Sequence, residues 1–256
     1  MKKILMALAY VGILASSINA DVIKVEFGAG AWMQKPKGEI SYTDTANSFD
    51  GKDLSTQKEK TQVYAWLLFK HPVPIIPNLR LEYANLENKG VGSGKFKDFD
   101  VPTTVPTSLK MTQFDVIAYY NLLDNTFWMT LDLGIDVKIS QLTYEAQGVI
   151  DNSTGLTINY SDSATIPLPL AYLRLRAEIP ATSIGLESDI KYVTYNGSTV
   201  YDFRAKVDYT LDFVPVVQPA IEIGYRVQKF DITADDDKAR IDLEFAGIYA
   251  GLMLRF

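Results

Sequence analysis

No cysteine occurs in the 256 residues, and there is only one histidine, His71. The first absence excludes disulfides, thiolate metal sites and a lipid-modified N-terminal cysteine. The second removes the commonest acid–base side chain from almost every position where chemistry could be built. Nowhere do eighteen consecutive apolar residues occur, so no transmembrane helix is expected. The formal net charge is −6, and a basic stripe for nucleic acid is missing. Fifteen Tyr and twelve Phe, by contrast, make the chain rich in aromatics.

The N-terminus reads MKKILMALAYVGILASSINAD. Two lysines, an apolar run too short to span a bilayer and a small residue before the cut describe a secretory signal peptide, residues 1–20, cleaved after Ala20. Loss of Lys2 and Lys3 moves the charge to about −8. The remaining 21–256 suffice for one all-β domain.

That domain is written in a two-residue period. YDFRAKVDYTLDF (201–213) alternates apolar or aromatic residues with Asp202, Arg204, Lys206, Asp208, Thr210 and Asp212. Further alternating segments fall at 22–32, 61–70, 78–87, 111–121, 127–140, 170–179, 183–195, 218–230 and from about Arg240 to Phe256, about ten strands in all. Short connections lie at 71–78, 122–125, 180–183 and 214–219. Long polar ones lie at 34–60, 88–108 and 144–163, with 195–198 and 233–238 at the same end. In an up-and-down meander this sorting puts every long connection at one end. The expectation is an all-β transmembrane barrel of about ten antiparallel strands, with short periplasmic turns, long extracellular loops and apolar faces toward lipid.

The inward face is then charged with both signs: Glu26, Arg80, Glu82, Asp115, Asp132, Asp136, Lys138, Arg174, Arg176, Glu178, Glu187, Asp189, Lys191, Asp202, Arg204, Lys206, Asp208, Glu222 and Arg226. In a barrel little wider than its own side chains these groups pair into a salt-bridged plug; in a wider one they line a pore for small polar solutes. His71 sits in the turn HPVPIIPN, far from the long loops, and no catalytic residue is assigned. An enzyme acting on lipid or peptide is the weakest reading. The run ADDDK (234–238) is read as solvated, so no metal or cofactor is expected.

The tail YAGLMLRF resembles the C-terminal signal by which bacterial assembly machinery recognises outer-membrane barrels, through Tyr249, Gly251, Leu254 and Phe256. The stretches DVIKVEFGAGAWMQKPKGEI and GIYAGLMLRF together resemble a family of proteobacterial outer-membrane β-barrel proteins with no assigned chemistry. The resemblance implies the bacterial outer membrane as location. Outer-membrane lipids, lipopolysaccharide and the barrel-assembly machinery are the implied partners, and nucleic acid is not. A structural or surface-interaction barrel is the leading reading, with a narrow pore or transporter as the alternative.

Overall fold

The computed structural model describes residues 23–43, 48–52, 59–96, 99–151, 153–211, 217–234 and 239–256; the signal segment and Asp235–Lys238 lie outside them. The described strands are β1 (Lys24–Thr43), β2 (Ser48–Lys52), β3 (Lys60–Lys70), β4 (Asn78–Phe96), β5 (Phe99–Thr126) and β6 (Met129–Asp151). β7 (Thr157–Glu178), β8 (Ile184–Tyr195), β9 (Ser198–Thr210), β10 (Gln218–Ala234) and β11 (Ala239–Arg255) follow. Neighbours pair antiparallel, and β11 closes on β1. β2 and β3 both lie between β1 and β4, so they are two pieces of one wall strand and the barrel has ten. Among the described residues no helix is long and apolar enough to cross a membrane, which is silent on strands.

The register fixes the shape. From Met129 the pairing runs through Ala177, Leu186, Val207, Ile223, Ala250 and Ala31 to Val63. Val63 stands one place above the Tyr64–Ala84 pair, level with Asn85, and the path continues through Thr112 back to β6 at Gln141. The circuit climbs from 129 to 141, a shear of twelve residues. With strands ~4.8 Å apart rising ~3.3 Å per residue, this gives a tilt of about 40° and a backbone radius of about 10 Å. Arginine and lysine from facing walls meet across that width.

On β6 the outward face is apolar from Met129 through Leu131, Leu133, Ile135 and Val137 to Ile139, a rise of about 25 Å at that tilt. Higher up the polarity turns over. From Gln141 on, Leu142, Tyr144 and Ala146 face inward, and Gln141, Thr143 and Glu145 face outward. β5 does the same, with Asp115 inside and Phe114 outside below, but Met111 and Leu109 inside and Lys110 outside above. On β10 the inner face goes from Glu222 and Arg226 through Gln228 to Phe230 and Ile232. On β11 Leu243 and Phe245 are the inner residues above Tyr249. Each long strand is thus apolar outside at one level and apolar inside at the next. Two solvents explain it: hydrocarbon around the lower half and water around the upper.

This inversion reshapes the polar stretches. Much of 34–60, 88–108 and 144–163 continues as strand, including β2 and the upper parts of β1 and β4 to β7. Lys37, Glu39, Lys89 and Lys110 on the wet outer face, with Gly38 and Gly90 turned inward, gave them the composition of loops. A second difference lies at the opposite end. β5 runs on through 122–125 to Thr126, and the turn is Phe127–Trp128, so β6 begins at Met129 rather than 127. Phe127 and Trp128 have φ of 52° and 66°, the left-handed pair that a two-residue hairpin requires. Such values cost bulky residues roughly 1–3 kcal/mol each, which is why the aromatic pair does not announce a turn. Asn196–Gly197 makes the corresponding turn at the other end with the residues expected for it.

Candidate functional site: the ion-paired lumen

Alternation of the strands turns the charged residues inward. Glu26, Arg80, Glu82, Asp115, Asp132, Asp136, Lys138, Arg174, Arg176, Glu187, Asp189, Lys191, Asp202, Arg204, Lys206, Asp208, Glu222 and Arg226 are all buried inside the barrel, and Glu178 stands half-exposed at its turn-end rim. Asp132, Asp136, Lys138, Lys191 and Glu222 are wholly inaccessible to water.

The pairs cross the lumen. Arg80 on β4 reaches Glu82 at 2.7 Å and Glu187 on β8 at 3.2 Å. Arg204 on β9 joins Glu82 at 2.5 Å to Asp189 at 2.9 Å. Lys191 bonds Glu82 at 2.6 Å and also Asp115, which Lys138 meets at 2.7 Å while lying 3.2 Å from Asp202. Arg226 caps Asp202 at 2.7 Å. Toward the turns, Arg174 links Asp132 and Glu187, each at 2.7 Å, and Arg176 holds Asp208 at 2.7 Å. Lys206 meets Glu222 at 2.9 Å.

Aromatic side chains complete the packing. The Trp66 indole lies under Arg80 and Lys206, whose cationic groups stand 5.0 and 4.4 Å from its ring. Its Nε1 donates to Glu222 at 3.1 Å, and the Tyr64 hydroxyl donates to the same carboxylate at 2.7 Å. Small residues make the room. A Cβ on Gly28 would stand 2.4 Å from the Trp66 indole nitrogen, and one on Gly185 2.3 Å from the Arg176 guanidinium.

Sequence reasoning missed Arg255, which bonds Asp208 at 2.6 Å and lies 3.3 Å from Glu26. Its inward parity with Tyr249 and Met253 was the available signal, hidden because the tail was read for its outward residues. It also missed the layer above the charges, where Gln34, Gln113 and Gln228 are buried at the foot of the apolar upper core. With Arg255 the lumen buries ten carboxylates and nine cations. Neither oxygen of Asp136 has a hydrogen-bond partner, and the same holds for Glu26, which instead has Lys24 at 3.0 Å and Arg255 at 3.3 Å beside it.

The closing strand places the tail residues differently from one another. Tyr249 points inward and packs edge-on against Tyr64, with ring centroids 5.2 Å apart. Gly251 backs onto the Tyr64 hydroxyl, and the Phe256 backbone pairs with Val25 in both directions. Leu254 lies opposite Phe27 on β1. His71 is consumed by its own turn, Nε2 donating to the Pro77 carbonyl at 3.1 Å and Nδ1 accepting from Val73 N–H at 3.2 Å. No group of three or more metal-capable side chains occurs among the described residues.

No protein-family model and no curated protein matches the sequence. Solved structures do. The outer membrane protease OmpT from Escherichia coli superposes with a TM-score of 0.56 at 13% identity, over 92% of this chain and 97% of that one. It has the fold of a bacterial outer-membrane β-barrel. The translocator domain of the autotransporter NalP from Neisseria meningitidis (TM-score 0.44, 9% identity, 100% and 98% covered) is also similar. So is the transport unit of the autotransporter AIDA-I from Escherichia coli (0.41, 9%, 97% and 96%).

Proposed function

We propose that this chain resides in the outer membrane of a Gram-negative bacterium as a closed barrel. It acts as a structural or surface-interaction protein through its water-facing upper half, not as a conduit or an enzyme. The observation that carries the reading is the crossing network of Arg80, Glu82, Glu187, Lys191 and Arg204, whose side chains pair across the lumen and are each 95% or more buried. A pore would need those charges along the wall with water between them. Here they are spent on each other, and their mixed sign favours neither anions nor cations. Above them the lumen is apolar, so a polar solute would meet a second barrier.

The exposed apolar belt is in keeping with an outer-membrane lipid environment, and the upper half would stand among lipopolysaccharide. The closing strand, with Tyr249, Gly251, Leu254 and Phe256, is offered to the barrel-assembly machinery. A non-catalytic role is supported by the lone histidine, held at the turn end away from the upper half.

Single-channel recording on the refolded protein tests this. The expected record is near-zero conductance. Steady open-state current from the unmodified protein would overturn the plug in favour of the narrow-pore reading.

A further inference from the structure

Two turns at the same end of the barrel project apolar side chains where a soluble surface would carry polar ones. The β3–β4 turn presents Val73, Ile75 and Ile76, and the β5–β6 turn presents Phe127 and Trp128. Ile75 is 85% exposed, Phe127 82% and Trp128 59%. Each turn is held to a neighbouring strand by a hydrogen bond. The Tyr120 hydroxyl donates to the Ile75 carbonyl at 2.9 Å, and the Glu178 N–H donates to the Trp128 carbonyl at 2.8 Å. β5 runs seven residues beyond Tyr119, the partner of the first β4 residue, and the 71–77 turn lies beside that overhang. No formal charge falls within 72–76 or 126–128; Lys70 and Asp124, bonded at 2.5 Å, mark the rim above.

We infer that these turns form an anchor that enters the headgroup region of the nearer lipid leaflet. The occupant follows from continuity. Tyr120, Leu122, Leu123 and Met129, all exposed, carry the apolar belt toward the tip. The left-handed backbone at Phe127 and Trp128 aims both rings away from the barrel, and an indole is well suited to the boundary between hydrocarbon and water. Across the barrel the 180–183 turn, Pro-Ala-Thr-Ser, offers no such group.

This inference rests on the belt facing lipid, and the experiment separates the two. Trp32 and Trp66 are buried at 1% and 3% exposure, so Trp128 reports alone on surroundings outside the barrel. The protein is refolded into phosphatidylcholine vesicles whose acyl chains are brominated either near the headgroup or near the bilayer centre. Emission should fall with the shallow bromines, and W128F should abolish that loss while folding normally. V207W, on the belt, should be quenched by deep bromines. If V207W is quenched while Trp128 ignores both lipids and responds to aqueous iodide like free indole, the anchor is overturned and the belt stands. Should V207W also escape quenching, the lipid reading itself falls, and the anchor with it.

Discussion

Arg80 and Glu187, on β4 and β8 and 107 residues apart, meet at 3.2 Å inside the barrel, with each side chain only 1% exposed. A contact between non-adjacent walls makes the lumen a load shared by the whole circumference. Arg80→Ala strips Glu82 and Glu187 of a cation and should cost about 3–5 kcal/mol. Unfolding in denaturant from vesicles measures it, and conductance should rise from zero as the crossing loosens. A loss under ~1 kcal/mol with an unchanged silent record would mean that the crossing pairs do not hold the lumen closed.

The inversion along β6 gives a sharper test, because two outward positions on one strand should answer oppositely. Ile135→Arg places a charge on the apolar belt and should cost ~2–4 kcal/mol. Thr143→Arg, eight residues on and facing the same way, should fall within about 0.5 kcal/mol of the parent. Equal costs at the two sites would place both in the same solvent and remove the boundary between them.

Orientation can be read by labelling, since the chain carries no cysteine of its own. Thr154→Cys in the β6–β7 connection should react with a membrane-impermeant maleimide on intact cells. Thr182→Cys in the β7–β8 turn should react only once the outer membrane is opened. The reverse pattern would turn the barrel over.

Deleting Phe256 removes the terminal aromatic and the two backbone bonds it shares with Val25. The expected result is less folded, heat-modifiable barrel in the outer membrane and precursor left behind in the periplasm. An unchanged yield would mean that assembly reads another part of β11.

Where the strand code is simple, the sequence was legible. Asp202, Arg204, Lys206 and Asp208 alternate with Phe203 and Val207, and a two-residue period admits only one inside and one outside. The burial of these charges follows from parity alone. Their partners do not. That Lys191 serves Glu82 and Asp115, and that Arg204 serves Glu82, depends on shear and radius, which no local pattern records. The upper halves of β5 to β7 were obscured for another reason. A strand between water outside and a core inside has the opposite polarity to one in lipid, and Lys110 or Glu145 on the outer face resembles a loop residue. The Phe127–Trp128 turn was hidden because its aromatic residues continue the alternation of the strand that follows.

Alternation alone would leave each strand free to slide by two. Such a slip keeps every side chain on its correct face while moving it ~6.6 Å along its neighbour. For β6 it would set Lys138 against Gln113 or Ile117 instead of Asp115, and would carry one belt residue out of hydrocarbon or one wet residue into it. The charged layer and the change of solvent above it act together as a vernier. One counts residues by which carboxylate a lysine finds, the other by where the bilayer ends, and both agree at a single setting.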